Sequence, residues 1–385
     1  MNRLFDWAVE FWDRLRRMAG FDRLAKSKRA ADLADSGRIR RILYFMRPLV
    51  ALVVIIYIAA LVSRLTIIHG DDLGYPQVVL TADRPAVSPG TEAPDGGCGD
   101  SAVAAMSGYI LDVLVNQNTW APADPQYKIG WFGVVSFAPG PFFDNKASFQ
   151  IGALRAVRRM SIEMVDILGR ARGTSAADVD LQDARSSVQW NERSWIVNPF
   201  DSRLPLISTA AGSSYRSAIG NYEAYNAKLR RCEALYDSRS DNLFQLLDRI
   251  ANEIGGMTDQ LASRSKGDAW DVQQKAMVPA TGNNRGFFDF RADNLFYEAH
   301  GLMWAYHGYL QAVRSDFSTV IRDANLGQIW DRMEAHVAES ASLEPLIVSN
   351  GREDSIFTPD HLSAMAANML RARANMVEIR EVLNR

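Results

Sequence analysis

The chain has 385 residues, of which 48% are hydrophobic and 23% are charged, so it is long enough for more than one globular domain. Its low net charge of −2 excludes disorder for most of the chain, and its two cysteines exclude a disulfide-dense scaffold and a structural zinc domain. The charge is unevenly distributed. Residues 1–48 carry 12 basic and 6 acidic residues, whereas residues 49–385 carry 31 basic and 39 acidic ones.

The first segment, residues 2–19, is amphipathic at helical spacing. Its apolar stripe consists of Leu4, Ala8, Phe11, Leu15 and Met18, widened by Trp7 and Trp12. Three arginines lie mainly off that stripe. This pattern is typical of an interfacial helix on an anionic inner leaflet, and a helix docked on a partner is the alternative. Residues 1–48 as a whole are predicted to be a basic cytoplasmic segment.

Residues 49–68, LVALVVIIYIAALVSRLTII, predict one transmembrane helix. Twenty residues at about 1.5 Å each span roughly 30 Å, the thickness of the hydrocarbon core of a bilayer. Arg64 is the one charge in the run and lies a turn from its end, where a long side chain can reach the headgroups. A buried core helix is the alternative, but such helices are rarely this apolar on every face.

The charges that flank this run predict its orientation. Arg38, Arg40, Arg41 and Arg47 precede it, and Asp71 and Asp72 follow it. The excess of basic residues on the cytoplasmic side then places the N-terminus in the cytoplasm and the larger part outside. The prediction is a single-pass protein of a bacterial inner membrane with a periplasmic C-terminal domain.

The periplasmic part is predicted to be all-α, a multi-helix bundle joined to the membrane by a tether. Residues 69–99 are rich in Pro, Gly and Ala and lack a periodic apolar face, which predicts the tether; the best strand pattern, 75–81, lies within it. Residues 100–385 form the predicted helical domain. Periodicity predicts helices over 101–117, 148–172, 176–190, 213–236, 243–261, 292–323, 327–340 and 359–384.

A long aromatic loop, residues 120–145, interrupts the helical pattern, because its Pro and Gly residues disfavour a helix. Long loops in compact domains are usually functional. The aromatics of this loop either fold back onto the bundle or form a surface for a partner or the membrane. The candidate contact residues are Trp131, Phe132, Phe142 and Phe143.

An internal echo relates DSRSDNLF, residues 237–244, to DFRADNLF, residues 289–296. Each copy is predicted to open a helix, and a duplicated hairpin over 237–260 and 289–312 would explain the echo. The aspartates suit helix capping, since a carboxylate accepts backbone N–H bonds at the positive end of the helix dipole. The alternative is an anion or glycan site built from Arg239 and Arg291.

Few residues point to chemistry. Cys98 and Cys232 both lie on the predicted periplasmic side, so they form either one disulfide or two unrelated thiols. Recognisable nucleotide, hydrolase and zinc motifs are lacking in the sequence, so we predict no cofactor and no metal. Nucleic-acid binding is disfavoured by the acidic outer part of the chain.

The middle of the chain resembles a family of uncharacterised proteobacterial inner-membrane proteins, known as a domain of unknown function. The similarity rests on NTWAPADP at 118–125, on Asp144, Asn145, Phe149 and Gln150, and on Arg239, Asp241, Asn242 and Leu243. It extends over roughly residues 45–385. The resemblance implies a short cytoplasmic N-terminus, one span and a helical periplasmic domain, and it implies no activity.

These patterns favour a non-enzymatic envelope protein whose periplasmic helical domain binds a protein partner or an envelope polymer. The alternative is a periplasmic hydrolase of cell wall or lipid that uses carboxylates near Asp289–His300, namely Asp289, Asp293 and Glu298. A purely structural spacer is a third interpretation. The sequence does not determine the oligomeric state.

Overall fold

The computed structural model describes the backbone of residues 38–384 with gaps at 81–88, 90, 92–97, 125–143, 171–175, 195–209, 272–275, 280–289, 346, 352–354 and 356–358. Side chains are described outside 38–48, 65 and 268–291. The predicted amphipathic helix, residues 2–19, lies outside the described residues. The chain divides into two compact units, Met1–Ser63 and Arg64–Arg385.

The first unit contains most of helix α1, Arg38–Thr66, whose last three residues belong to the second unit. Nine consecutive residues of α1, 49–57, have exposed side chains, among them Leu49 at 55%, Val53 at 57% and Ile55 at 61%. Where side chains are described, no helix combines the length and the apolar character that a membrane crossing requires.

The second unit is helical with one β-hairpin. Its further helices are α2 (Tyr75–Leu80), α3 (Ala102–Asp112), α4 (Asn145–Glu163), α5 (Val179–Val188), α6 (Ala211–Arg230), α7 (Ser240–Lys266), α8 (Phe290–Asp316), α9 (Ser318–Asp323), α10 (Gly327–Ala341) and α11 (His361–Leu383). Two π-helical turns, Val113–Gln117 and Met164–Leu168, extend α3 and α4. Strands β1 (Asp268–Asp271) and β2 (Ala276–Pro279) pair antiparallel between α7 and α8. The predicted helical class is therefore confirmed.

Helix α8 is the central helix of this unit. Twelve consecutive residues, 299–310, are buried, so the helix has no solvent-facing side over three turns. It packs against α2, α3, α4, α10 and α11. A helix that is buried all round needs neighbours on every side, and these helices provide them.

Helices α4 and α8 cross in close backbone contact at two glycines. A Cβ atom on Gly152 would overlap the carbonyl oxygen of Glu298, and one on Gly301 would overlap that of Phe149. Each glycine therefore faces the backbone of the other helix. Such close approach requires residues without side chains.

Next to this crossing, buried charges link three helices. The Glu253 carboxylate of α7 accepts hydrogen bonds from Arg155 of α4, at 2.9 Å, and from Tyr306 of α8, at 2.8 Å. Arg159 lies 3.2 Å from the same carboxylate. The Glu253 side chain is 6% exposed, so these partners compensate for its lost hydration.

The predicted tether, residues 69–99, contains structure that packs on the domain. Residues 75–80 form helix α2, so the strand pattern that we noted there was wrong. Tyr75 is 1% exposed, and its hydroxyl donates to the carbonyl of Trp304 and accepts from the N–H of Gly308. Composition alone does not reveal this, because one buried tyrosine is enough to hold a short segment on a domain.

The two echo segments open helices as predicted, since α7 begins at Ser240 and α8 at Phe290. The expected aspartate cap is wrong for α7, because its N-cap is Arg239, which makes no side-chain cap hydrogen bond. Asp237 instead accepts a hydrogen bond from Arg239 at 3.0 Å. The two helices also differ in their neighbours, since α7 packs mainly on α11 and α8 mainly on α4.

We expect Gly301→Ala to lower the free energy of unfolding by about 3 kcal/mol, because the new methyl group must push α4 and α8 apart. The matched control is Gly220→Ala in α6, where a Cβ atom meets no heavy atom within 4 Å. This control should stabilise the protein by roughly 0.5–1 kcal/mol through helix propensity. Thermal unfolding of the full chain, followed by circular dichroism, measures both changes. Equal effects at the two positions would contradict the close crossing.

Candidate functional site

The end of helix α1 is bound by a buried lysine of helix α4. The Lys146 ammonium donates to the carbonyl oxygens of Arg64, at 3.1 Å, and Ile67, at 2.6 Å. Carbonyls at a helix C-terminus lack partners within the helix and attract a positive charge. Lys146 is only 2% exposed. Burial, reinforced by the nearby positive charge of Arg64, lowers the pKa of Lys146 to about 8.

Arg64 itself binds the segment that follows helix α3. Its Nε donates to Thr119 Oγ1 and a terminal nitrogen pairs with Asp124, both at 2.8 Å. The Asp124 side chain is 3% exposed, whereas that of Arg64 is 50% exposed. One side of the Arg64 guanidinium is thus bound by protein, and the expected contact of Arg64 with headgroups stays a prediction.

Two buried amides complete the arrangement. Asn118 donates to the carbonyl of His69, at 2.7 Å, and accepts from the backbone N–H of the same residue at 3.0 Å. Gln150 donates to the carbonyls of Leu114 and Thr119, at 3.0 and 2.8 Å. Because the π-helical turn Val113–Gln117 interrupts the α-helical pattern, side chains from outside it can bond its carbonyls. We call Arg64, Asn118, Thr119, Asp124, Lys146 and Gln150 the Lys146 cluster.

Apart from Arg64, no residue of the Lys146 cluster was predicted to have a role, although a signal was present. Asn118, Thr119 and Asp124 belong to the NTWAPADP motif, and Lys146 and Gln150 lie in the second motif that carries the resemblance. The cluster residues of the two motifs lie 22 or more positions apart, and both sets contact the end of α1 or the residues just after it. A lysine in a first helical turn is ordinarily solvated, so its burial could not be read from its position.

Of the predicted contact residues, Trp131, Phe132, Phe142 and Phe143 lie outside the described residues. Arg239 is paired with Asp237, at 3.0 Å, and with Asp241, at 3.3 Å, both within its own motif. Arg291 lies in α8, and its side chain is not among those described. The anion site expected from the two arginines therefore stays a prediction.

The residues of the predicted hydrolase bind separate partners. Asp289 lies outside the described residues, and an Asp293 oxygen accepts the backbone N–H of Asn294 at 2.9 Å. Glu298 pairs with Arg155 at 3.2 Å. His300 is buried with Nε2 2.8 Å from the carbonyl of Ala341, and burial lowers its pKa. The three described groups, Asp293, Glu298 and His300, thus each have a different local partner.

One serine and histidine pair resembles a nucleophile with its base. Ser349 Oγ lies 3.1 Å from His361 Nδ1. The serine hydroxyl, however, donates to the carbonyl of Pro359 at 2.6 Å, and the backbone N–H of Ser349 donates to Nδ1 at 3.0 Å. A base whose lone pair already accepts a backbone proton is not positioned to activate the hydroxyl. This pair closes the loop before α11.

Metal binding and surface clefts offer no better candidate. Among the described residues, no group of three His, Cys, Asp or Glu side chains lies close enough to hold a metal ion. A surface cleft of about 370 Å³ is lined by Arg314, Ser318, Ile321, Arg322, Asn325 and Gly327. Arg314 is paired with two carboxylates, Asp331 and Glu334, which together outweigh its one positive charge, so the cleft does not favour an anion.

The structure brings Cys98 and Cys232 together as a disulfide, with their Cα atoms 5.4 Å apart. Cys98 is 3% exposed, whereas Cys232 is exposed. The bond joins residues 134 positions apart, between the segment before α3 and the end of α6. In the chain-entropy model a loop of this length corresponds to roughly 5 kcal/mol of stabilisation at most.

A buried carboxylate, Asp316 at the end of α8, binds the start of α3, which follows shortly after Cys98. Asp316 accepts the backbone N–H groups of Ala102 and Val103, at 2.7 and 3.1 Å. It also accepts the Ser101 hydroxyl at 2.8 Å. Burial raises the pKa of Asp316 to about 6, because these hydrogen bonds offset only part of the lost hydration.

A family model described as "Uncharacterized protein conserved in bacteria (DUF2333)" matches residues 127–385. The match includes Lys146 and Gln150 of the Lys146 cluster and the Arg239 motif, and it begins after Asp124. No curated protein and no solved structure matches the chain.

We expect Asp316 to make stability depend on pH. The native carboxyl binds its proton more tightly than the unfolded one, whose pKa is near 3.8, so its contribution to stability is lost as pH rises to about 6. Relative to Asp316→Asn, the free energy of unfolding of the wild type should fall by up to about 1.4 kcal/mol per pH unit between pH 4 and 6. Tyr225 and Tyr236 also face this carboxyl, but they remain neutral in that range.

Chemical denaturation of the full chain at several pH values measures this difference. Asp323→Asn, at an exposed aspartate whose side chain is 66% exposed, is the control for loss of a surface charge. A wild type and an Asp316→Asn variant with parallel pH profiles would show that the carboxyl is not perturbed.

Proposed function

We propose a function for this chain, which belongs to the bacterial family DUF2333. The family description names no activity, so the proposal is argued from the geometry. The protein is a single-pass inner-membrane protein whose helical domain, on the periplasmic side, binds an envelope protein. It acts by binding and is not an enzyme. The exposed apolar stretch of α1 is the observation that carries this proposal.

The anchor is residues 49–68. Sixteen consecutive residues of this run, 49–64, have described side chains, and the first nine are all exposed. Nine helical residues make two and a half turns, so apolar side chains point outward on every face. A surface helix of a water-soluble domain exposes a polar face instead, whereas lipid covers all faces of a spanning helix.

Two independent features support a periplasmic location for the domain. Basic residues precede the apolar run and Asp71 and Asp72 follow it, which favours a cytoplasmic N-terminus. The disulfide between Cys98 and Cys232 lies on the far side of the run, and disulfides persist in oxidising compartments such as the periplasm. Charge and redox chemistry thus favour the same orientation.

The partner contact is assigned to the aromatic loop. Trp131, Phe132, Phe142 and Phe143 belong to a segment rich in large apolar residues. The residues that bound it, Asp124 and Asp144, are 4% and 2% exposed, so both ends of the segment start from the domain's interior. Aromatic side chains contribute most of the binding energy at many protein interfaces.

The anchor is tested by placing charge in the apolar run. In Val53→Arg with Ile56→Arg, each arginine should cost about 2.5–3.5 kcal/mol in the bilayer, so the protein should leave the carbonate-resistant membrane fraction. The same variant should contain reduced cysteines, because its domain stays in the cytoplasm. Alkylation of thiols in intact cells, followed by non-reducing electrophoresis, measures this.

Val78→Arg with Val179→Arg is the matched control, because these valines are 65% and 63% exposed but lie outside the run. The control should keep both membrane retention and the disulfide. Full membrane retention of the Val53 and Ile56 variant would reject the anchor.

The partner contact is tested by replacing Trp131, Phe132, Phe142 and Phe143 with Ala. In-cell crosslinking followed by mass spectrometry should then recover an envelope partner at least about tenfold less, the loss expected when interface hot spots are removed. The control replaces Trp190, Leu235, Ile347 and Leu370, which are also exposed apolar residues. If both sets leave recovery unchanged, the aromatic loop is not the contact.

A further inference from the structure

Arg64 lies near the C-terminal end of the apolar run. It lies two residues before Thr66, so it is about 3 Å along the helix axis from the end of α1. If residues 49–68 cross the bilayer, as proposed above, this depth corresponds to the boundary between lipid tails and headgroups. An arginine at that depth ordinarily turns its charge towards phosphate and water.

Side chains of the helical domain bond Arg64 and the residues that follow it. The carboxylate of Asp124 is bonded directly to Arg64, and Lys146 binds carbonyls on both sides of the last turn, at Arg64 and Ile67. Ile68 packs against the hydrophobic core of the domain. Arg64, Ile67 and Ile68, the last part of the apolar run, are therefore bound within the second unit.

The exposed groups around the Lys146 cluster suit a lipid surface. The Ile67 side chain is 47% exposed although Lys146 holds its carbonyl. The Arg64 side chain is half exposed beside its pair with Asp124. An apolar side chain next to a cation is the combination found in proteins at a membrane interface.

We propose that the face of the domain around the Lys146 cluster lies in the headgroup layer of the same membrane, on its periplasmic side. Its partner is the phospholipid headgroup, which Arg64 contacts through phosphate while Ile67 contacts the upper part of the tails. This inference rests on the proposed anchor. It replaces the predicted tether by direct attachment, so that the domain reaches only partners close to the membrane.

Quenching by nitroxide-labelled headgroups tests this placement. The full chain, with its disulfide intact, is reconstituted in vesicles of phosphatidylethanolamine and phosphatidylglycerol that contain a headgroup-labelled lipid. A fluorophore is attached in turn to Ile67→Cys, Gln117→Cys and Asp323→Cys. Gln117 is exposed and neighbours Gly70, so it reports on the domain next to the Lys146 cluster.

Asp323 is the distant control. Asp323 lies in α9, which follows Asp316, and Asp316 binds the N-terminal end of α3. Gln117 lies at the other end of the stretch formed by α3 and its π-helical turn. Fifteen residues at 1.5 Å each separate those two ends by about 20 Å. Unchanged thermal unfolding of each labelled variant shows that the domain is folded.

We expect the Gln117 label to lose at least half as much fluorescence as the Ile67 label, and the Asp323 label to lose clearly less. Quenching at Ile67 without quenching at Gln117 would overturn the inference and leave the anchor intact. An unquenched Ile67 label would reject the anchor, and the inference with it. Equal quenching at all three positions would also overturn the inference, because the loss would not depend on position.

Discussion

The crossing of α4 and α8 is the contact on which the rest of the helical domain depends. Gly152 and Gly301 let the two backbones touch, and this brings α4 alongside a central helix that is buried on every face over three turns. Lys146 lies at the start of α4, and Arg155 and Arg159, which bind Glu253, lie further along the same helix. At the end of α8 stands Asp316, which binds the start of α3. One close contact thereby sets the positions of three polar groups.

The domain contains charged and amide side chains at places where helices end. Lys146, Asn118 and Gln150 bond the carbonyl oxygens of Arg64, Val113 and Leu114, which lie where helices end or change form. An unpaired buried carbonyl costs free energy comparable to a lost hydrogen bond, so each of these side chains stabilises a helix end that water cannot reach. The same side chains bring the end of α1, the end of α3 and the start of α4 to one place. The proposed membrane-facing surface is a consequence of this arrangement.

Several features were predictable because they depend on nearby residues. The apolar periodicity predicted most helices to within a few residues, and the helix starts at Ser240 and Phe290 followed from the echo. The structure of residues 75–80 was not predictable, because their composition is that of a linker and the partner of Tyr75 lies more than 200 residues away at Trp304. The Asp cap of α7 was also mispredicted, since Arg239 binds Asp237 before the helix begins.

The sequence by itself determined the helical class, the apolar run at 49–68, the basic N-terminal side and membership of the family, because periodicity, hydropathy and motifs are properties of local residue order. Only the tertiary structure decided which polar residues are buried and with whom they pair. From the sequence, Lys146 is one charged residue in the first turn of a helix. In the folded chain it donates hydrogen bonds to two carbonyls about 80 residues earlier. Hydrogen bonds between distant helices depend on how those helices cross. The periodicity and the motifs of the sequence do not predict that crossing.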